Sequence, residues 1–314
     1  YNKLKKKYDL STIEKLNWQF RSNLKPLIKI AVDDLEDSIV GHYALIPLKF
    51  YYQGEIYDGG KVEGSAVHPD YQGRAILKKY PSLNNYKIFS ELIKSMKDDL
   101  KTSDVSLCFG FPNDKAKYTQ YKYFDEAEFT YSQYRYFVNI DNYINNICSK
   151  NNVLKKVLKY YLKLKKISRF KNKNKNKFLI SEFDFNKHNI EAVSKKFADN
   201  NGVISILRDN EYIKWRYLNN PFSENYIYVA CDNGTDVKGV IIFGYTHGSL
   251  GKIGKIYDIF YEAEDVDLLT GLISSAVDSL NERGVDFISS ILQDDLYRVL
   301  HSVFSNLGFL RTNV

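Results

Sequence analysis

Apolar residues keep two rhythms along this chain, and the rhythm changes every dozen residues or so. Residues 12 to 20 space them as on one helix face, running into Trp18-Gln19-Phe20. Ile28 to Val32 alternates and predicts a strand. Asp33 to Asp37 reads as an acidic turn. Ile39 to Leu48 predicts a second strand, carrying Gly41 and His42 and stopping near Pro47. Phe50 to Tyr52, Gln53-Gly54 and Glu55 to Tyr57 predict the end of a hairpin. Lys61 to Val67 predicts another strand, which breaks at Pro69 and leads to Gly73. Ile88, Phe89, Leu92, Ile93, Met96 and Leu100 then return to helical spacing. Val105 to Phe109 predicts a strand ending in Gly110-Phe111-Pro112-Asn113, followed by a helix through Ala116 and Tyr121.

The pattern then repeats. Trp215-Arg216-Tyr217, with Asn219-Asn220-Pro221 behind it, echoes Trp18-Gln19-Phe20 with Asn23 and Pro26. Tyr226 to Cys231 answers Ile28 to Val32, and Val237 to Ile242 answers Ile39 to Ala44. Lys255 to Phe260 matches the strand ending at Val67. Leu268, Leu269, Leu272, Ile273, Ala276 and Leu280 match the helix after it, and Val285 to Ile291 matches Val105 to Phe109. A single period near two hundred residues means a duplicated domain, not a solenoid. The expected division is a first domain over 1–140, a linker over 141–180 and a second domain over 181–314.

Charge separates the linker from the rest. The chain carries a net +7, but residues 150 to 177 hold twelve Lys or Arg and no acid, and the remainder sums to −5. Val153, Leu154, Val157, Leu158, Tyr161, Leu164 and Ile167 mark a basic amphipathic helix there, with a Lys-Asn loop after it. It reads either as an interdomain helix with a charged outer face, or as a contact for an anionic lipid surface or RNA. A chain-wide nucleic-acid partner does not follow, because the basic balance belongs to one segment.

With 314 residues and 44% apolar content, two ordinary domains can each bury a core. No apolar run is long enough to cross a bilayer, and no leader pattern is read, although the chain opens on Tyr1. Cys108, Cys148 and Cys231 are sparse and odd in number. This argues for a reducing, cytoplasmic setting. The five histidines show no pairing that suits zinc, and no metal is expected.

Val67-His68-Pro69-Asp70-Tyr71-Gln72-Gly73-Arg74 is the stretch with the clearest chemistry. A strand that breaks into a glycine turn before a helix turns main-chain N–H groups outward, where they can hold a phosphate. Arg74 adds a charge-assisted contact. The second copy has Glu262, Glu264, Asp265 and Asp267 at that place, and such a charge would repel a pyrophosphate. A phosphorylated cofactor therefore belongs to the first copy.

The order strand, strand with Gly, strand, Val-x-Pro-x-x-Gln-Gly-Arg loop, helix, strand, Pro-Asn, helix resembles the GNAT acyltransferase superfamily, twice over. The Trp-x-Tyr-x-x-Asn-Pro opening and the Gly-His-Tyr-Ala-Leu-Ile-Pro strand look most like tandem-GNAT enzymes of bacterial surface-polysaccharide pathways. Those acylate the amine of a nucleotide-linked amino sugar. The resemblance implies an α/β (α+β) fold of two GNAT domains, each a mixed, mostly antiparallel sheet flanked by helices. It also implies acyl-CoA as co-substrate. In that fold the fourth and fifth strands splay apart and the pantetheine arm adds to the fourth like a strand. By resemblance Ala66, Val67 and His68 supply main-chain groups, Gln72, Gly73 and Arg74 cradle the pyrophosphate, and Asn113 bonds the pantetheine. The family loop has small residues where this chain has Ala75 and Leu77. Either those two positions are altered, or residues 75–86 are an insertion and the family helix resumes at Lys87.

Acyl transfer to an amine needs a proton acceptor, stabilisation of the thioester oxygen and a proton for the leaving thiolate. Glu63, on the predicted fourth strand of the family, reads either as that base or as a strand glutamate facing solvent. His42 faces the same cleft or is a packed histidine. Tyr121, with Tyr118 as the alternative, is placed for the leaving thiolate. Arg216, Tyr217, Tyr245 and His247 are the candidates for substrate contact in the second domain, with Tyr217 read alternatively as a cap on the core and Arg216 as a solvated side chain. Two other functions fit the same pattern. One is a tandem-GNAT transferase fed by aminoacyl-tRNA, and the other is a binding module that has lost catalysis.

Overall fold

The computed structural model describes residues 10–20, 26–72, 87–112, 114–120, 122–124, 129–141, 144, 156, 160, 177–232, 234–248 and 251–312. In chain order the elements are α1 (Leu10–Phe20), β1 (Leu27–Asp33), β2 (Ser38–Tyr52), β3 (Glu55–Val67), α2 (Ile88–Lys101), β4 (Leu107–Phe109) and α3 (Asp114–Gln120). Then come β5 (Tyr131–Phe137), β6 (Leu179–Glu182), α4 (Ile190–Asn201), β7 (Ser205–Ile206), α5 (Asn210–Ile213), β8 (Glu224–Asp232) and β9 (Asp236–Gly248). The last are β10 (Gly251–Tyr261), α6 (Val266–Glu282), β11 (Phe287–Gln293), α7 (Arg298–Asn306) and β12 (Leu310–Thr312). Two compact units result. One contains 1–127 with 204–207, the other 128–203 with 208–314. Among the described residues no helix is long and apolar enough to cross a membrane.

The first unit is a sheet in the order β1-β2-β3-β4, with β7 pairing the far end of β2. β1, β2 and β3 are antiparallel, and β4 runs parallel to β3. The hairpin turn falls at Gln53-Gly54, where both residues have positive φ. The strand expected to stop near Pro47 instead runs on to Tyr52. β1 reaches only Leu45 and β7 begins only at Phe50, so Pro47 lies where that side of β2 has no neighbour in the described pairing. α2 lays Ile88, Leu92, Ile93 and Met96 on Val40, Tyr43 and Leu45. Lys29 reaches Asp99 of α2 at 2.6 Å.

The second unit is a seven-stranded sheet in the order β12-β5-β11-β10-β9-β8-β6. Its core is far larger and includes Phe197, Phe243, Phe260, Ile273 and Phe304, all essentially inaccessible. β5 is paired through seven residues with β11 and through three with β12. Residues 131–137 thus belong to the second sheet, whereas the expected boundary lay at residue 140. The expected linker helix falls almost wholly outside the described residues.

The repeat is visible in packing as well as in order. A Cβ at Gly41 would lie 3.2 Å from both Ile88 and Leu92, and one at Gly239 would lie 3.0 Å from Leu272 and 3.2 Å from Leu268. In each unit the helix after the splayed strand presses on a strand that has no side chain there.

Candidate active site

The site is set by where β3 and β4 part. They pair only at Gly59–Leu107, Gly60–Cys108 and Lys61–Phe109. Beyond Lys61, β3 continues for six residues and pairs on the other side alone, with β2. The strand is kinked in this stretch. Glu63 faces Ala44 and Ala66 faces His42, so Gly64-Ser65 oppose the single residue Tyr43. Gly64 has φ +65°, which a glycine adopts at little cost, and a bulge of this kind re-aims the strand beside a site. The hydroxyl of Ser65 is buried at the bulge with no hydrogen-bond partner.

Main-chain groups alternate along a strand. His68 donates its N–H to Val40 O at 2.7 Å, and its carbonyl accepts from Tyr71 N at 2.9 Å. Both groups are therefore committed, which corrects the expectation that His68 lends its backbone to a ligand. Ala66 is paired with His42 in the same sense. Val67, between them, turns its N–H and carbonyl to the open side, where the Gln72 side-chain amide donates to that carbonyl. Tyr71 pins the turn over Pro69–Tyr71. It is buried and its hydroxyl donates to Asp33 and, at 3.3 Å, to Glu36. Gly73, Arg74, Asn113 and Tyr121 lie outside the described residues. Tyr118, the alternative to Tyr121, is 70% exposed on α3, under the Lys122 ammonium at 5.1 Å.

On one face of the sheet, at the splay, stand His42, Glu63 and Lys61, opposite Ala66, Ala44 and Ile46 respectively. His42 leans over the bulge, its Cε1 3.4 Å from where a Gly64 Cβ would be. Partial burial lowers its pKa, so the imidazole is neutral at pH 7. Glu63 is bonded to the Lys61 ammonium, and both side chains are about a quarter exposed. The face is closed by aromatics. Phe109 meets Phe50 and Phe111 edge-on at 6.2 and 6.0 Å, and Phe111 lies 5.8 Å from the Lys61 nitrogen. Neither Lys61 nor Phe111 was marked by the sequence. A groove of about 510 Å³ runs along β1 and α2, lined by Asp33, Tyr71 and Glu91 among others. It lies on the α2 side of the sheet, away from Glu63.

The second unit has the same parting, but fills it. β10 and β11 pair from Ile253–Phe287 to Ile256–Ser290, and β10 then bulges at Tyr257 and runs on to Tyr261. Counted from the matching glycines, Asp258 occupies the register position of Glu63: it faces Ile242 as Glu63 faces Ala44. Arg208, 8% exposed, holds Asp258 through Nε at 2.6 Å and a second nitrogen at 3.0 Å. The guanidinium lies 4.9 Å from the Phe260 ring and 5.9 Å from that of Phe197, on which Tyr297 stacks. The acidic run before α6 is also spent internally. Asp265 caps the helix through the N–H groups of Asp267 and Leu268, and Glu262 bonds Lys196 and Lys238, each at 2.9 Å.

These facts move three of the substrate candidates. Tyr217 is 7% exposed, and its hydroxyl points to Asp258 at 3.4 Å, so it belongs to the core. Burial raises its pKa far above that of a free tyrosine. Tyr245 and His247 face Gly254 and Lys252, at the end of β10 away from the splay. Tyr245 is occupied by Glu224, which pushes its pKa up to about 12, and by the Lys252 ammonium at 3.7 Å. Arg216 is half-buried in the turn over Lys214–Leu218. Among the described residues no group of His, Cys, Asp and Glu could hold a metal.

Comparison with known proteins agrees with this geometry. Residues 10–125 match the model of the acetyltransferase (GNAT) domain. No curated protein matches by sequence. Among solved structures, a GCN5-related N-acetyltransferase from Anabaena variabilis is 12% identical with a TM-score of 0.55, over 85% of this chain and 56% of that one. N-myristoyltransferase of Saccharomyces cerevisiae with bound myristoyl-CoA is 11% identical with a TM-score of 0.56, over 92% of this chain and 69% of that one. A conserved protein of unknown function from Enterococcus faecalis, described as a probable N-acyltransferase, is 14% identical with a TM-score of 0.54, over 96% and 62%. This chain thus spans little more than half of the first of these. The fold is the GNAT fold, a mixed α/β sheet flanked by helices.

Proposed function

We propose that this chain is a CoA-dependent N-acyltransferase whose thioester lies in the parting of β3 and β4. It passes an acyl group to the amine of a nucleotide-linked amino sugar. The observation that carries the proposal is the bulged, one-sided stretch of β3 beyond Lys61. It turns the Val67 N–H towards an arm that can pair like a strand, while the Val67 carbonyl is held by Gln72, and the Ser65 hydroxyl at the same bulge is without a partner. Such a buried hydroxyl is costly unless an arriving group satisfies it. Gln72, with Gly73 and Arg74 next in sequence, suits the pyrophosphate of CoA. Bound there, CoA supplies the activated thioester. Glu63 takes a proton from the acceptor ammonium, and neutral His42 stands on the same face. The choice of a nucleotide-linked amino sugar as acceptor rests on the sequence resemblance alone.

Calorimetric titration with CoA and acetyl-CoA tests the cofactor site. Arg74→Ala is expected to weaken binding about ten- to a hundredfold, the loss of one charge-assisted contact to phosphate. Unchanged affinity in that variant removes the pyrophosphate from this loop. Thiol release with a panel of amino-sugar nucleotides then tests the acceptor. With an acceptor in hand, Glu63→Gln should lower kcat by about 10²- to 10⁴-fold while CoA binding stays as it was. A kcat within a few fold of the parent would mean that solvent takes the proton.

A further inference from the structure

Lys61 is an amine placed at the apex of the parting. It is the last residue of β3 to pair with β4, and its side chain points to the same face as Glu63. Its ammonium is bonded to that carboxylate, is partly exposed, and has the Phe111 ring at 5.8 Å. The chemistry is that of the acceptor itself: a primary amine, a carboxylate in contact to take its proton, and an open strand edge beside them.

We propose that Lys61 is a self-acylation site: without an amine acceptor, the protein transfers the acyl group from CoA to its own Lys61 nitrogen. The inference rests on the proposed CoA site. Glu63 takes one proton from the ammonium. The freed lone pair attacks the thioester carbonyl, the C–N bond forms and the C–S bond breaks. The electron pair leaves with sulfur, and the second nitrogen proton goes to the thiolate, giving the amide and free CoA. The proton on Glu63 is released to solvent. The amide has no charge, so the ion pair with Glu63 is lost and the carboxylate becomes available to an outside ammonium. Acylation of Lys61 is in this sense a switch between a self-paired and an open carboxylate.

The test is to incubate the full chain with acetyl-CoA alone and follow acetylation of each lysine by peptide mass spectrometry. Lys101 and Lys187 are the controls, since their side chains are 62% and 70% exposed and unassisted chemistry would favour them. Lys61 is expected to react first. Glu63→Gln should slow Lys61 about a hundredfold, the low end of what a positioned base contributes, and leave both controls unchanged. Lys61 that stays unmodified, trails the controls or ignores Glu63→Gln overturns the proposal. Calorimetry on the same sample separates the two failures. CoA binding with an inert Lys61 sinks only the self-acylation, whereas absence of CoA binding sinks the cofactor site and this inference with it.

Discussion

A fragment beginning at residue 178 is expected not to fold, although it contains the whole of the second domain that the sequence pattern marks, 181–314. It lacks β5. That strand fills the place between β11 and β12, pairing with both. Tyr134 and Tyr136, at 1% and 6% exposure, insert into the core against Phe304 and Phe309. Two such side chains stabilise by about 2 kcal/mol each on burial, before the ladder hydrogen bonds are counted. Without β5 the edge of β11 is bare, β12 has lost its partner and the aromatic rings face water. Expression of 178–314 beside 128–314, with near-UV circular dichroism and thermal melts, tests this. A cooperative melt of the shorter fragment within about 5 °C of the longer one would show that β5 is dispensable.

Arg208→Ala is expected to cost about 3–5 kcal/mol, because it leaves Asp258 buried without its cation. The second unit should lose about 10 °C of melting temperature. The pair is not itself a large source of stability, since two desolvated charges roughly cancel their attraction. Replacing both by apolar residues, as Arg208→Met with Asp258→Leu, should therefore restore most of the loss. The comparison distinguishes a buried pair from a solvated one. If Arg208→Ala costs less than about 1 kcal/mol, water already reaches Asp258. The same pair explains why the two copies differ. Glu63 answers to a flexible, partly exposed lysine, whereas Asp258 at the same register position is clamped by a guanidinium fork and roofed by aromatic rings.

Much of this arrangement was legible in the residues. Period-2 alternation placed the strands, and the spacing of Ile88, Leu92 and Met96 placed the helix on the sheet. The duplication was visible because Gly41 and Gly239 recur at nearly the same step from each tryptophan, and both turn out to be contact points for a helix. What failed did so for physical reasons. Alternation tells which residues share a face, but not which end of a strand lies at the splay, so Tyr245 and His247 at the end of β9 read as cleft candidates although that end is away from the splay. The sequence Tyr131–Phe137 alternates like any strand, and nothing local says which of two sheets will receive it. Tyr217 reads either as a substrate contact or as a cap on the core, and only Arg208 and Asp258, fifty positions apart in sequence, show what its hydroxyl meets. Gly64 inside a predicted strand was a fair signal for a bulge. Lys61 gave none, because a lysine two residues before a glutamate on a strand looks like an ordinary solvated pair.

The exchange of short strands has a consequence for synthesis. β7 completes an edge laid down about 150 residues earlier, and β5 waits about as long for β11. At ordinary translation rates that interval is on the order of 10–30 s. For that time a Tyr-rich strand emerges from the ribosome with no sheet to enter. Neither half of the chain is finished when its own residues have been made. The nascent chain is expected to depend on holding factors until residue 312 has been added, and slower translation lengthens the exposure instead of relieving it.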